Sequence, residues 1–162
     1  MTKNKSFTPD PAFWLSYASF LMNTYSPPSP ERARALLERA TQSVSSSQHR
    51  HLTQKFASLE FKSPNGEAER GRTFFAGLIE TWPKKWDIWD VYLSLEMSHG
   101  DEENVRALFE KMSKADMKKR RAEIVFRRWK EWEESLGNAQ AVKNVNALEI
   151  KWNEKREENS ES

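Results

Sequence analysis

The chain has no cysteine, so disulfides and thiolate metal sites are excluded. It has five glycines in 162 residues, too few for a sheet protein built on tight turns. No apolar run approaches the length of a membrane span. The opening, Met1 to Ser6, lacks the hydrophobic region of a signal peptide. Histidine is scarce too: His49, His51 and His99. His49 and His51 stand at i, i+2, which point in different directions on a helix, so all three read as surface or packing residues. Catalytic signatures are missing: no phosphate-cradling glycine loop, no HExxH, no nucleophile elbow. Ser43 to Ser47 is a polar link, and Glu131, Glu133 and Glu134 suit a solvated helix face better than an acid/base pair. The expectation is a non-enzymatic chain with no cofactor, no bound metal, no small-molecule substrate and no membrane association.

What the chain does have is aromatic side chains. They make up 12% of it and include seven tryptophans, too many for a disordered segment. Hydrophobic residues are 37% and charged residues 31%, which suits a slender helical array with much surface.

The aromatics recur with a period. Trp14-x-x-Tyr17-x-x-Phe20 is one copy, Trp89-x-x-Tyr92-x-x-Leu95-Glu96 another, and Phe126-x-x-Trp129-x-x-Trp132-Glu133 a third. A weaker copy is Thr53-x-x-Phe56-x-x-Leu59-Glu60. The anchors at 14, 53, 89 and 126 step by 39, 36 and 37. Shorter segments come after each copy, beginning at Ala33, Gly71, Val105 and Ala141, and step by 38, 34 and 36. Two ladders of nearly equal period signal a repeat architecture. Trp14, Tyr17, Ala18 and Leu21 fall at i, i+3, i+4 and i+7, one face of a helix, and Val105, Leu108, Phe109 and Met112 do the same.

Turn residues punctuate these segments. Asp10-Pro11 and Ser29-Pro30 read as N-caps followed by proline at the first helical position. Ser63-Pro64-Asn65-Gly66 reads as a turn, Pro83 as a break, and Asp87 as the cap of the fifth helix. Gly100 and Gly137 suit left-handed C-terminal positions, with Asp101 and Asn138 capping the sixth and eighth helices. Eight helices are predicted, near 11–24, 30–43, 47–62, 66–80, 87–99, 102–113, 117–136 and 139–156. Grouped as repeats, the domain 11–156 contains units near 11–43, 47–80, 87–113 and 117–156, between a flexible segment 1–10 and a flexible polar tail 157–162. The fold class is all-α, an α-solenoid of about four helix-turn-helix repeats.

Trp14, Tyr17, Phe56, Trp89, Tyr92, Phe126, Trp129 and Trp132 are the expected structural anchors, burying large apolar areas at helix crossings. Ala33, Ala40, Ala68, Gly71 and Ala107 are expected to let helices approach closely. Close packing is likewise expected to offset the helix-interior cost of Gly71 and Gly77, about 1 kcal/mol each relative to alanine. Glu60, Glu96 and Glu133 close three first helices, and Arg34, Arg72 and Arg106 open three second helices. An ion pair across the hairpin of units two and three is one reading of these residues; ordinary solvated charge is the other.

The pattern W-x-x-Y-x-x-(L/F)-E, a turn, then A/V-R-x-(L/I)-F-E resembles the HAT (half-a-TPR) repeat of RNA-processing complexes. The runs Lys55–Phe61, Gly66–Phe75, Trp82–Tyr92 and Phe126–Gly137 are similar to the C-terminal HAT region of the rRNA-processing protein five family, also called the programmed cell death protein eleven family. The resemblance spans about residues 11–156. It implies ribosome biogenesis in the nucleus and nucleolus, with partners among the small-subunit processome proteins and pre-rRNA or snoRNA close by. The proline-rich link 25–30 departs from the pattern, as do Leu21 and Val142 where the repeat has Glu and Arg.

Charge is uneven. Residues 111–130 hold nine Lys/Arg and two acids in a chain of net charge +2, so the remainder is acidic. Lys118, Lys119, Arg120, Arg121, Ile124, Arg127 and Arg128 form the candidate partner or RNA surface, with Ile124 expected to lie exposed among the arginines, away from the apolar stripe. A solvated basic face competes with that reading. The first functional expectation is a protein-docking scaffold. The alternative is direct phosphate-backbone binding of pre-rRNA or snoRNA through the basic helix 117–130.

Overall fold

Helical periodicity becomes eight helices in the computed structural model, which describes residues 11–24 and 29–161. They are α1 (Pro11–Ser19, continued as a π-helical turn Phe20–Thr24), α2 (Pro30–Ser43), α3 (Ser46–Lys62), α4 (Ala68–Thr81), α5 (Trp86–His99), α6 (Glu102–Ser113), α7 (Lys119–Ser135) and α8 (Ala139–Glu161). No strand occurs among the described residues, and the fold is all-α, of the helical-repeat class. No described helix is long and apolar enough to cross a membrane. The chain divides into two compact units, residues 1–102 and 103–162.

In the first unit the apolar stripes of α1, α2 and α3 close on one another. Trp14, Ala18, Leu21 and Met22 meet Ala33, Leu36, Ala40, Leu52 and Phe56 in one cluster. The π turn frees backbone carbonyls that need donors. Ser29 N–H supplies one to Leu21 at 2.7 Å, and the Asn65 side-chain amide supplies one to Met22 at 2.9 Å. Further along, Phe75 of α4 is fully buried and stacks on Tyr92 of α5, centroids 4.8 Å apart. In the second unit Phe109 of α6 stacks on Trp129 of α7 at 5.7 Å, and Val125, Phe126 and Val145 are buried.

Several sequence expectations change in the structure. Residues 157–161, expected as a flexible tail, continue α8. The 1–10 segment, Asp10 and most of the proline-rich link lie outside the described residues. Ser29 holds the N-cap position of α2 but makes no side-chain cap bond. The N-cap of α5 is Lys85, and Asp87 sits in the first turn, where it still favours the helix dipole. Gly137 is left-handed (φ 73°), whereas Gly100 is extended at φ −95°. A Cβ at Gly100 would collide with the Glu96 side chain and backbone, so close approach explains that glycine. Gly71 is similarly constrained, since its Cβ would lie 2.7 Å from the Phe61 ring. At Gly77 nothing lies within 4 Å, and no packing offsets its cost. Ala107 is exposed and brings no helices together. Tyr17 is 37% exposed, unlike the buried anchors Trp14, Phe56, Trp89, Phe126 and Trp129; Tyr92 and Trp132 are half-buried.

Candidate functional site

A repeat needs a device that fixes each hairpin against the next, and the recurring Arg and Glu supply it. Arg34 of α2 forks onto Glu60 of α3, Nε to Oε2 at 2.9 Å and Nη2 to Oε1 at 3.0 Å. Arg72 of α4 does the same to Glu96 of α5, at 2.8 and 2.9 Å. Arg106 of α6 does so to Glu133 of α7, both contacts at 2.8 Å. The pairing runs from the second helix of one repeat to the first helix of the next, correcting the expected pairing within units two and three. Every one of the three arginines and three glutamates is used in this pairing, while Leu21 on α1 and Val142 on α8 carry no charge at the corresponding positions.

The three glutamates are 3%, 1% and 1% exposed, which rules out ordinary solvated charge. Buried carboxylates demand full hydrogen bonding, and a bidentate guanidinium is suited to that. Glu60 Oε1 also accepts from the Glu67 backbone N–H at 3.0 Å, tying α3 to the start of α4. Arg72 lies over the Phe61 ring at 5.6 Å and Arg106 over Trp132 at 5.1 Å. Hydrogen bonding from Arg106 holds the Glu133 carboxyl below the usual carboxylate range, against the opposing effect of burial. The Trp129 indole N–H, one turn earlier, adds to this without a well-formed hydrogen bond. The glutamates in turn keep the Arg34 and Arg72 guanidinium groups above their ordinary value. Burial pushes the Tyr92 phenol up.

The forks hold the scaffold; the exposed chemistry lies on α7. Its stripe Ala122, Val125, Phe126, Trp129 and Glu133 faces inward. Lys118, Lys119, Arg120 and Arg127 are exposed. Arg121, Ile124 and Arg128 are half-buried, correcting the expectation of an exposed isoleucine within a basic ring. Lys130 is drawn to Glu149 of α8 at 2.8 Å and leaves the basic surface. Exposed Glu123, just past the first turn, and exposed Glu131 and Glu134 in the C-terminal half dilute the charge beyond that turn, so the basic surface concentrates at the first turn. That turn has no acidic residue, and Lys118 at the N-cap makes no side-chain cap bond. Four consecutive cations at Lys118–Arg121 therefore stand at the positive end of a helix dipole, which disfavours them. No group of side chains among the described residues forms a metal site.

No family model matches the chain. It is similar to the "rRNA biogenesis protein rrp5" of Schizosaccharomyces pombe, 37% identical over 91% of this chain and 8% of that protein. It is also similar to the human "Protein RRP5 homolog", 32% identical over 80% of this chain and 7% of that protein. The Arabidopsis thaliana "rRNA biogenesis protein RRP5" is 31% identical over 71% of this chain and 6% of that protein. The chain thus spans less than a tenth of the length of the relatives it matches. With its helical repeats, its buried forks and these matches along most of its length, the chain belongs to the RRP5 family.

Proposed function

We propose that the chain is a non-catalytic docking scaffold in ribosome biogenesis, working in the nucleus and nucleolus as the C-terminal HAT region of an RRP5-type factor. Its partners are assembly proteins of the small-subunit processome. The observation that carries the reading is the basic first turn of α7. Lys118, Lys119, Arg120 and Arg121 stand against the dipole of their own helix, on a framework fixed by buried forks. An acidic partner segment offsets that repulsion. The names of the relatives place them in rRNA biogenesis, which supports the setting.

The second reading is phosphate-backbone binding of pre-rRNA or snoRNA at the same turn, favoured by the same charge. One experiment separates the two. The chain and a variant with Lys118, Lys119, Arg120 and Arg127 changed to Glu are used as baits in nucleolar extract, with and without ribonuclease. Recovery of assembly proteins that survives ribonuclease and fails with the variant supports protein docking. Loss on ribonuclease treatment supports RNA binding. No recovery by the unmodified chain removes both.

A further inference from the structure

Gly77 costs α4 about 1 kcal/mol relative to alanine, and nothing within 4 Å fills the place of its missing side chain. The space above it belongs to a groove of about 340 Å³ between the two helices of one hairpin, α3 and α4. Phe74, Gly77 and Leu78 of α4 line it with Thr53 of α3. Thr73 and Thr81 line it too, but their hydroxyls donate to the Glu69 and Gly77 carbonyl oxygens at 3.0 and 2.8 Å, so those donors are used within α4. A side chain at position 77 would stand in this groove, so the glycine keeps it open. The volume is that of a pocket for a small group, apolar in its floor.

His49 and Arg50 of α3 and Trp82 just past α4 line the rest. Arg50 is half-buried, with its guanidinium carbon 5.7 Å from the centroid of the Trp82 ring. Among the described residues no carboxylate pairs with Arg50, and none lines the groove. A guanidinium braced on an indole, with its N–H edge unfilled, is a preformed receptor for a carboxylate. Lys85 is exposed nearby, because its backbone N–H donates to the Trp82 carbonyl at 3.1 Å and closes the turn. A nucleobase fits less well. Arg50 covers a face of Trp82, and Phe74 packs against the α1–α3 cluster, so neither ring offers an open stacking platform.

We propose that this groove docks an acidic peptide segment of a partner protein. One apolar side chain of the segment enters over Gly77, and a flanking aspartate or glutamate takes the Arg50 guanidinium. The inference is independent of the basic turn on α7, which belongs to the other compact unit.

The test uses the full chain with Lys118, Lys119, Arg120 and Arg127 changed to Glu, so that α7 does not attract acidic peptides. The probes are short peptides with one central leucine, isoleucine, methionine, phenylalanine, tyrosine or tryptophan between aspartates and glutamates. Matched peptides with lysine flanks and a single-stranded RNA are the comparisons. The readout is the NMR shift of the Gly77 amide and the Trp82 indole N–H. At least one acidic peptide is expected to shift both signals saturably. Arg50→Gln and Gly77→Leu are each expected to weaken that binding at least tenfold, followed at the Trp82 indole. Gly77→Leu is also expected to leave the thermal unfolding midpoint no lower, since the new side chain meets open space. Absence of a saturable shift with every acidic peptide overturns the proposal, as does equal binding of the lysine-flanked peptides. Binding that survives Gly77→Leu puts the ligand outside the groove and overturns it too. Tighter binding of the RNA at the same signals makes a nucleotide the occupant and overturns the peptide assignment.

Discussion

Removing one member of a fork is costly because the other cannot return to water. Glu96 is 1% exposed and takes both guanidinium contacts of Arg72. Arg72→Met strands that carboxylate and is expected to destabilise the chain by about 3 kcal/mol in urea unfolding. Adding Glu96→Leu removes the stranded charge, and the double variant is expected to recover most of the loss, a coupling that a double-mutant cycle measures. The fork also sets an acid limb. Glu133 has its pKa lowered in the folded chain, so its stabilisation is complete above the unfolded glutamate value of about 4.3 and is lost as pH falls through the lower folded value. Glu133→Gln is therefore expected to cost most stability at neutral pH, with the gap to the unmodified chain narrowing in acid. The arginines stay protonated across that window and contribute no slope of their own.

Two glycines on α4 separate packing from propensity at the scale of the element. Gly71→Ala drives a methyl against the Phe61 ring and the Ala57 carbonyl oxygen, and is expected to destabilise by about 1–3 kcal/mol. Gly77→Ala meets open space and is expected to stabilise by about 1 kcal/mol, both read from thermal or urea unfolding. The helices themselves were legible in the sequence, with α2 and α6 read at their observed bounds, because amphipathic period and turn residues agree there. The partner of each arginine was not. Arg72 has Glu60 before it and Glu96 after it, and one-dimensional spacing permits either; only the packing of one hairpin on the next selects Glu96. The signal was the count: with Leu21 on α1 and Val142 on α8 uncharged, pairing each Arg with the Glu of the next repeat uses all six residues, whereas pairing within repeats leaves Arg34 and Glu133 over. On α7 the basic run was legible, but the half-burial of Arg121, Ile124 and Arg128 depends on helix rotation within the second unit and had no local signature.

For the whole molecule, the residues that hold the repeats and the exposed residues of the proposed docking surface are different ones. The buried glutamates and the aromatic pairs Phe75–Tyr92 and Phe109–Trp129 hold the repeats, while Lys118, Lys119 and Arg120 at the start of α7 and the aromatic row Phe13, Tyr17 and Phe20 on α1 are exposed. Changing Lys118, Lys119, Arg120 and Arg127 to Glu is thus expected to leave the unfolding midpoint within the range of surface substitutions, about 0.5 kcal/mol for each residue, while binding is lost. That contrast distinguishes a docking surface from a charged face that only maintains solubility. The most direct measurement is lysine-reactive cross-linking of the chain in ribonuclease-treated nucleolar extract, with the cross-linked residues identified by mass spectrometry. A scaffold docking through α7 predicts cross-links from Lys118 and Lys119 to acidic segments of ribosome-assembly proteins. Cross-links to those proteins only from lysines elsewhere, such as Lys143, Lys151 and Lys155 on α8, would contradict it.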